Sequence, residues 1–312
     1  MRQEPTFVVC GEALMDVFPS SGSGREETEA KPGGSPFNVA VGLARMAQTV
    51  AFFSAVSRDA LGNRLIHALL SEGVDTSSVA RTDAPTTRGI VTLDAEGVPA
   101  YAFDGKDGAD RQVSVSDLAQ LPEKYQALHL GSYSLVVQPA GSVLRELTDR
   151  VRGRVLVSYD PNVRLNIVPD EGRWRDVLTY MLPRTDVLKL SEEDLHVLRP
   201  GVSPETFAAE ARDAGVALVV VTRGAEGAVA WTRETHVRVD AVNSVVIDTV
   251  GAGDTFTAAL LTWLAEHRAL VVGALGGLSE GQLAAAVHFA SRAAAITCAR
   301  RGANLPLRDE LI

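Results

Sequence analysis

An aspartate directly behind a glycine–alanine–glycine turn sets up an unusual piece of chemistry. The stretch is DTVGAGDTF, Asp248 to Phe256, and an apolar run, TFTAALLTWLAEH, overlaps its end. Glycine-rich turns that open helices cradle anions on bare backbone N–H groups. A carboxylate planted there repels an anion, so Asp254 needs a reason. One reason is local, because an aspartate caps helix starts and contributes ~1 kcal/mol. The other is phosphoryl transfer to a hydroxyl. There, charge grows on the phosphoryl oxygens and needs aimed donors. The attacking hydroxyl must also lose a proton, and a carboxylate is the usual acceptor. A turn made of Gly251, Ala252, Gly253 and Asp254 fixes both demands in one geometry.

Other polar residues gather where apolar runs stop. RVLVSYD runs into Pro161, Asn162, Val163 and Arg164; DVLKLS, which carries Lys189 and ends on Ser191, runs into Glu192, Glu193 and Asp194. ALVVVT ends at Thr222 and runs into RGAEG, and VVIDT, read as a strand, runs into VGAGD. Such residues are common wherever strands end and helices are capped. Four sets on one rim favour a site, since ligands of open α/β sheets lie beyond the carboxyl ends of the strands. TRGAEG, Thr222 to Gly227, is a second glycine turn between two strands, a tight hairpin by itself. With GAGD it suits a nucleoside triphosphate. Neither turn is a P-loop, for no G-x-x-x-x-G-K-[ST] occurs. Neither is a dinucleotide fingerprint, because Phe256 stands where glycine or alanine is wanted.

The elements that must hold these residues alternate. TFVVCGEA, VAFFSAV, ALHLGS, RVLVSYD, DVLKLS and ALVVVT are short strands, apolar almost throughout, as strands covered on both faces are. SPFNVAVGLARMAQ, LGNRLIHALLSEG, AGSVLRELTDRVRG and PETFAAEARDAG carry helical patterns between them. The alternation predicts an α/β fold, a three-layer, doubly wound, mostly parallel sheet. Two segments break the rhythm: a polar, turn-rich one at about 17–32 and a hairpin at 86–104 around an AEG turn. They are expected to pair as a small, discontinuous β-sheet lid on a single domain spanning 1–312. The loop VVGALGGLSEG separates two C-terminal helices. The 312 residues, 46% apolar and 22% charged, supply a sizeable core without staples. Cys10 and Cys298 read as buried, reduced thiols of a cytoplasmic protein. The net charge of −9 argues against nucleic acid or an anionic membrane as the main partner. Scattered histidines do not support a zinc site.

DTVGAGDTF resembles the C-terminal signature of the ribokinase-like (pfkB) carbohydrate kinases. KPGGSPFNVAVGLARM is similar to that family's N-terminal glycine motif, VSRDALG to its V-G-x-D-x-x-G segment, VTRGAEG to its nucleotide turn and RRGA to its close. The resemblance covers nearly the whole chain. It implies ATP and Mg²⁺ as cofactors and a small-molecule sugar as acceptor. Asp254 would be the catalytic base, with Gly251, Ala252 and Gly253 as the anion hole. Asp16, Gly33, Gly34 and Asn38 would bind the sugar, with Tyr101 and Phe103 facing it from the lid. Asn162 and Arg164 would face the sugar or the phosphates, or serve as a loop-stabilising pair. Lys189, Ser191, Thr222, Gly224, Gly227 and Ser291 would border the nucleotide. Asp194 stands where the family's magnesium-linked glutamate is usual, and a solvated run of charge at a helix start is the alternative. Asp248, with backbone oxygens around Val250 and Gly302, would sit near a monovalent cation, K⁺, or simply cap a strand end. The family's lid often makes a homodimer contact.

GEALMDVF, YDPNVR and the lid segment ending GADR look most like fructokinases. Leu14 and Gly131 replace the asparagine and glutamate usual in ribokinases. Asp104 replaces the second lid aromatic of the fructokinases, which keeps 2-keto-3-deoxygluconate, or another sugar or nucleoside, open as acceptor. A ligand sensor without turnover is the competing class, and the intact GAGD argues against it.

Overall fold

The computed structural model describes residues 4–18, 29–93 and 99–311. Runs apolar on both faces become the strands of one sheet, and the chain leaves that sheet twice. It opens with β1 (Phe7–Cys10) and departs through β2 (Leu14–Phe18) and β3 (Glu29–Gly33). Helix α1 (Ser35–Arg45) brings it back to β4 (Val50–Ser57), α2 (Ala60–Ser71) and β5 (Val79–Thr82). A second departure is β6 (Arg88–Leu93) and β7 (Pro99–Asp104). Strand–helix alternation follows: β8 (Ala127–Gly131), α3 (Ala140–Val151), β9 (Leu156–Asp160), α4 (Glu171–Met181) and β10 (Val187–Ser191). Then come α5 (Glu192–Leu198), α6 (Pro204–Asp213), β11 (Leu218–Thr222), β12 (Ala228–Trp231) and β13 (His236–Val239). The long α7 (Ala252–Glu266) and α8 (Glu280–Cys298) complete the chain.

The main sheet runs β13-β12-β11-β10-β9-β8-β1-β4-β5, parallel from β11 to β5 and antiparallel at β12 and β13. Period-two alternation divides its side chains between two cores. Phe7, Val9 and Leu156 pack with α1, α2, α7 and α8. Val8, Cys10, Val157 and Tyr159 pack with α3, α4, α5 and α6. The result is the three-layer, doubly wound fold. The strand order reverses between β1 and β8, so the carboxyl ends of these strands and of β9 and β10 flank the place where such sheets bind ligands.

The departing strands form a second sheet, β3-β2-β6-β7, with β2 parallel to β6 and both hairpins antiparallel. The polar run at 19–28 and the AEG turn lie outside the described residues, as does the Tyr101 side chain. The VSRDALG stretch anchors this sheet's base. Asp59 caps α2 through the Gly62 amide at 2.6 Å and accepts from the hydroxyl and amide of Thr86.

One expected strand is absent. VVIDT pairs with no strand; the amides of Ile247 and Asp248 donate instead to the Cys298 carbonyl at the end of α8. β-Branched composition alone made no ladder here, and Val245, Val246 and Ile247 stay exposed. Cys10 is a buried free thiol, whereas Cys298 is only half-buried. Among the described residues no helix is long and apolar enough to cross a membrane.

Candidate active site

Helix α7 begins where the glycine turn ends. Gly251 is its N-cap, in the left-handed region at φ +80, and a Cβ there would meet Ala303 at 2.7 Å. Only glycine takes that conformation at so close an approach without strain. The Ala252 amide donates to Thr249, while among the described residues the amides of Gly253 and Asp254 meet no backbone acceptor. These are the orphan donors of a helix N-terminus, which carries a partial positive charge.

Asp254 does not cap this helix. It sits in the first turn, almost fully buried, and its carboxylate crosses to α1. Ser35 donates its hydroxyl to Oδ1 at 2.6 Å, and Asn38 donates its side-chain amide to Oδ2 at 2.8 Å. Burial raises the proton affinity of the carboxyl above the ordinary carboxylate value; the two donors and the Arg164 charge oppose that rise. Both partners project from one end of α1 because residues three apart share a helix face. Ser35 was not singled out in the sequence, although its place directly after Gly34 and three before Asn38 was the available signal.

Beneath the turn lies an ion pair. Lys189 on β10 donates to Asp160 Oδ2 at 2.8 Å, and Thr257 on α7 donates to the same oxygen at 3.1 Å. Burial pulls the pKa of the lysine down, but the Asp160 charge and hydrogen bond, together with the charges of Asp194 and Asp254, raise it above the ordinary value. The ammonium lies 3.2 Å from where a Cβ on Gly253 would stand. Lys189 therefore brings its positive charge to the back of the same turn. Asp160 and Thr257 are the supporting residues that sequence reasoning missed. Asp160 Oδ1 and Asn162 Nδ2 are buried without a hydrogen-bond partner among the described residues. Unsatisfied groups of that kind are rare away from a ligand or ordered water.

Asp16 lies on β2, framed by glycines. A Cβ on Gly33 or on Gly89 would stand 2.5 Å from one of its carboxylate oxygens. Burial pushes its pKa up to about 6, and the Arg164 charge pulls the other way. Phe103 pairs with Gly89 across the β6–β7 ladder, so its ring lies on the same patch. Asp104 is exposed and paired with Arg88. Gly34, at φ +106, would clash with the Glu12 carbonyl at 2.8 Å if it carried a Cβ. Glu12 itself is buried, accepts the Ser134 hydroxyl, and is pushed by burial to about 7. Asn162 adopts a left-handed φ of +39, and Arg164 is exposed and donates to the Val163 carbonyl.

The remaining residues fall around the nucleotide turn and the two helix starts. Thr222 ends β11, and Gly224 and Gly227 take positive φ in the hairpin that follows. Ser291 is buried on α8. Ser191 and Asp194 form a capping box at the start of α5, and Asp194 Oδ1 also accepts from the Val163 amide at 2.8 Å. Asp248 accepts from the amides of Val250 and Gly302, clipping the glycine turn to the C-terminal segment. Both oxygens of each acid are thus already engaged. Among the described residues no group of three or more His, Cys, Asp or Glu is placed to hold a metal ion.

The pfkB family carbohydrate kinase profile matches residues 5–310. The chain belongs to that family. The kinase is 35% identical to a fructokinase of Rhizobium leguminosarum bv. trifolii over 278 residues, 89% of this chain and 85% of the relative. It is 33% identical to an Escherichia coli fructokinase, with 97% of each chain covered. Its fold matches a crystal structure of fructokinase from Vibrio cholerae O395 in a fructose, ADP and calcium ion bound form, at a TM-score of 0.84 and 29% identity, over 98% of this chain and 97% of that one.

Proposed function

We propose that the kinase moves the γ-phosphoryl group of ATP to a primary hydroxyl of fructose. The Asp254 carboxylate carries this reading: it is buried at a helix N-terminus yet held by α1 rather than used for capping. The fructokinase relatives support the acceptor. In the reaction the sugar oxygen attacks the γ-phosphorus as Asp254 takes its proton. The bond to the bridging oxygen breaks, and ADP leaves with that electron pair. The glycine turn and the helix start behind it offer the free amides of Gly253 and Asp254 to the oxygens where charge grows, with Lys189 behind them. Asp16, Gly33, Gly34 and Asn38 hold the sugar, Phe103 covers it, and Asn162 and Arg164 close the far side; Tyr101 stays assigned to the sugar by its place two residues before Phe103.

Ser191, Thr222, Gly224, Gly227 and Ser291 border the nucleotide in this arrangement. Bound with the triphosphate, Mg²⁺ would supply charge neutralisation on the phosphates, with Asp194 the acid assigned to it. With both oxygens of Asp194 engaged, that acid fits a contact through water rather than direct ligation. Asp248 is assigned to K⁺ beside Val250 and Gly302.

A carboxylate-bearing acceptor such as 2-keto-3-deoxygluconate is the second reading. Arg164 favours it, being exposed with the Val163 carbonyl as its acceptor, whereas Arg88 is tied up by Asp104. ADP release measured with ATP and a panel of acceptors decides. Turnover of fructose is expected; turnover of the keto-deoxy acid alone would replace the proposal with the second reading. Asp254→Asn should lower kcat at least ~10²-fold with ATP binding nearly intact. Near-full activity in that variant would remove Asp254 as the base.

A further inference from the structure

Ser35 opens α1 immediately after its N-cap, Gly34. Gly34, the N-cap, has no side chain to satisfy the free amides of this helix start. Ser35 sits one place inside it and turns its oxygen away to another helix. Its hydroxyl is buried and donates across 219 residues of chain to Asp254 Oδ1 at 2.6 Å. Such a hydrogen bond to an ionised acceptor is short, directional and among the stronger ones in proteins.

We infer that Ser35 is a positioning residue for the phosphoryl-transfer reaction, which holds Asp254 Oδ1 in a fixed orientation and favours the ionised form that can accept the sugar proton. The inference rests on Asp254 being the base. A hydroxyl that donates to a carboxylate stabilises the charged state more than the neutral one. Each carboxylate oxygen accepts two hydrogen bonds, so one site on Oδ1 and one on Oδ2 stay open for the attacking hydroxyl. With Ser35 on one oxygen and Asn38 on the other, the carboxylate plane cannot rotate without breaking a bond. Asn38 is also assigned to the sugar, whereas Ser35 serves the base alone.

The charged groups that act on Asp254 come from other elements. Arg164 follows β9 and favours ionisation, Asp160 at the end of β9 opposes it, and Lys189 lies on β10. None is touched by a substitution at Ser35, so a change in the base's titration reports the lost hydroxyl.

The test is the pH profile of kcat with fructose and saturating ATP for the wild type, Ser35→Ala and Ser35→Thr. Ser35→Ala is expected to lower kcat about tenfold and to move the acid limb up by about one pH unit. KM for ATP should hold. Ser35→Thr keeps the hydroxyl, so its acid limb should return to the wild-type position even where crowding lowers the plateau. An acid limb of Ser35→Ala that overlies the wild type overturns the inference, as does an equal shift in both variants. Should Ser35→Ala not fold, Ser35→Cys carries the same test: a weaker donor must place its acid limb above those of the wild type and Ser35→Thr, and a limb that overlies them overturns the inference. Failure of the base assignment itself is seen separately, as full activity in Asp254→Asn.

Discussion

The sugar side of the site is shaped by missing side chains. Asp16 keeps its carboxylate open because Gly33 and Gly89 carry no Cβ, and a Cβ at either would come within 2.5 Å of it. Gly89 has ordinary strand geometry and pairs with Phe103, so alanine there adds bulk without backbone strain. Gly89→Ala should push Asp16 aside and lower kcat/KM for the sugar on the order of 10²-fold. KM for ATP should stay within about twofold, because the nucleotide residues lie on other elements. Steady-state kinetics with each substrate varied in turn checks this; an equal rise in both KM values would contradict it. Gly33 was visible in the sequence as part of KPGG. Gly89 was not, because its role depends on β6 lying beside β2, a pairing between segments some seventy residues apart. Ser35 and Asp160 escaped for the same reason, since a partner distant in the chain leaves no local spacing to read.

Among the elements, the join between β1 and β2 concentrates buried charge. Glu12 lies there, against the Gly34 turn and the Ser134 hydroxyl, and Asp110 nearby accepts from Thr87 and Tyr133. Glu12 is raised by burial from 4.5 to about 7. Between those values the folded state holds a proton that the unfolded state has released. Stability therefore falls as pH rises from about 4.5 to 7 and levels off above. Glu12→Gln keeps an acceptor for Ser134 and removes this slope. The variant should gain stability relative to wild type at pH 8, by up to a few kcal/mol, and much less at pH 5. Urea unfolding at the two pH values measures it, and a gain independent of pH would refute the assignment. Strand and helix order was legible because apolar runs and helical spacing alternate cleanly. VVIDT misled, because β-branched composition reports a preference while a strand also needs a neighbour to pair with. A capping role was open for Asp248 from the sequence; the bonds of Asp194 to Val163 and of Asp248 to Gly302 were not legible, since they depend on where those segments arrive.

Across the whole molecule, the two halves of the candidate site come from opposite ends of the chain. Helix α1 is buried from Ser35 to Leu43, and α7 is buried from Asp254 to Leu264. Phe37, Val41, Phe256 and Leu260 share one core with α8. A chain ended after Asp240 keeps every strand but loses α7 and α8. It should retain far-ultraviolet circular dichroism yet show no cooperative thermal transition, and it should bind a hydrophobic dye that the full chain does not. A sharp transition in the truncated chain would show that α1 and the sheet form a stable body alone.

The same separation sets a timetable. Ser35 leaves the ribosome 219 residues before Asp254, and at usual elongation rates that is roughly 10–45 s. For that interval α1 waits with its apolar face unmatched and its two donors without their carboxylate. The nascent chain therefore exposes apolar surface for as long as Asp254 is still to come, and a translational stall just short of residue 250 would hold it in that state.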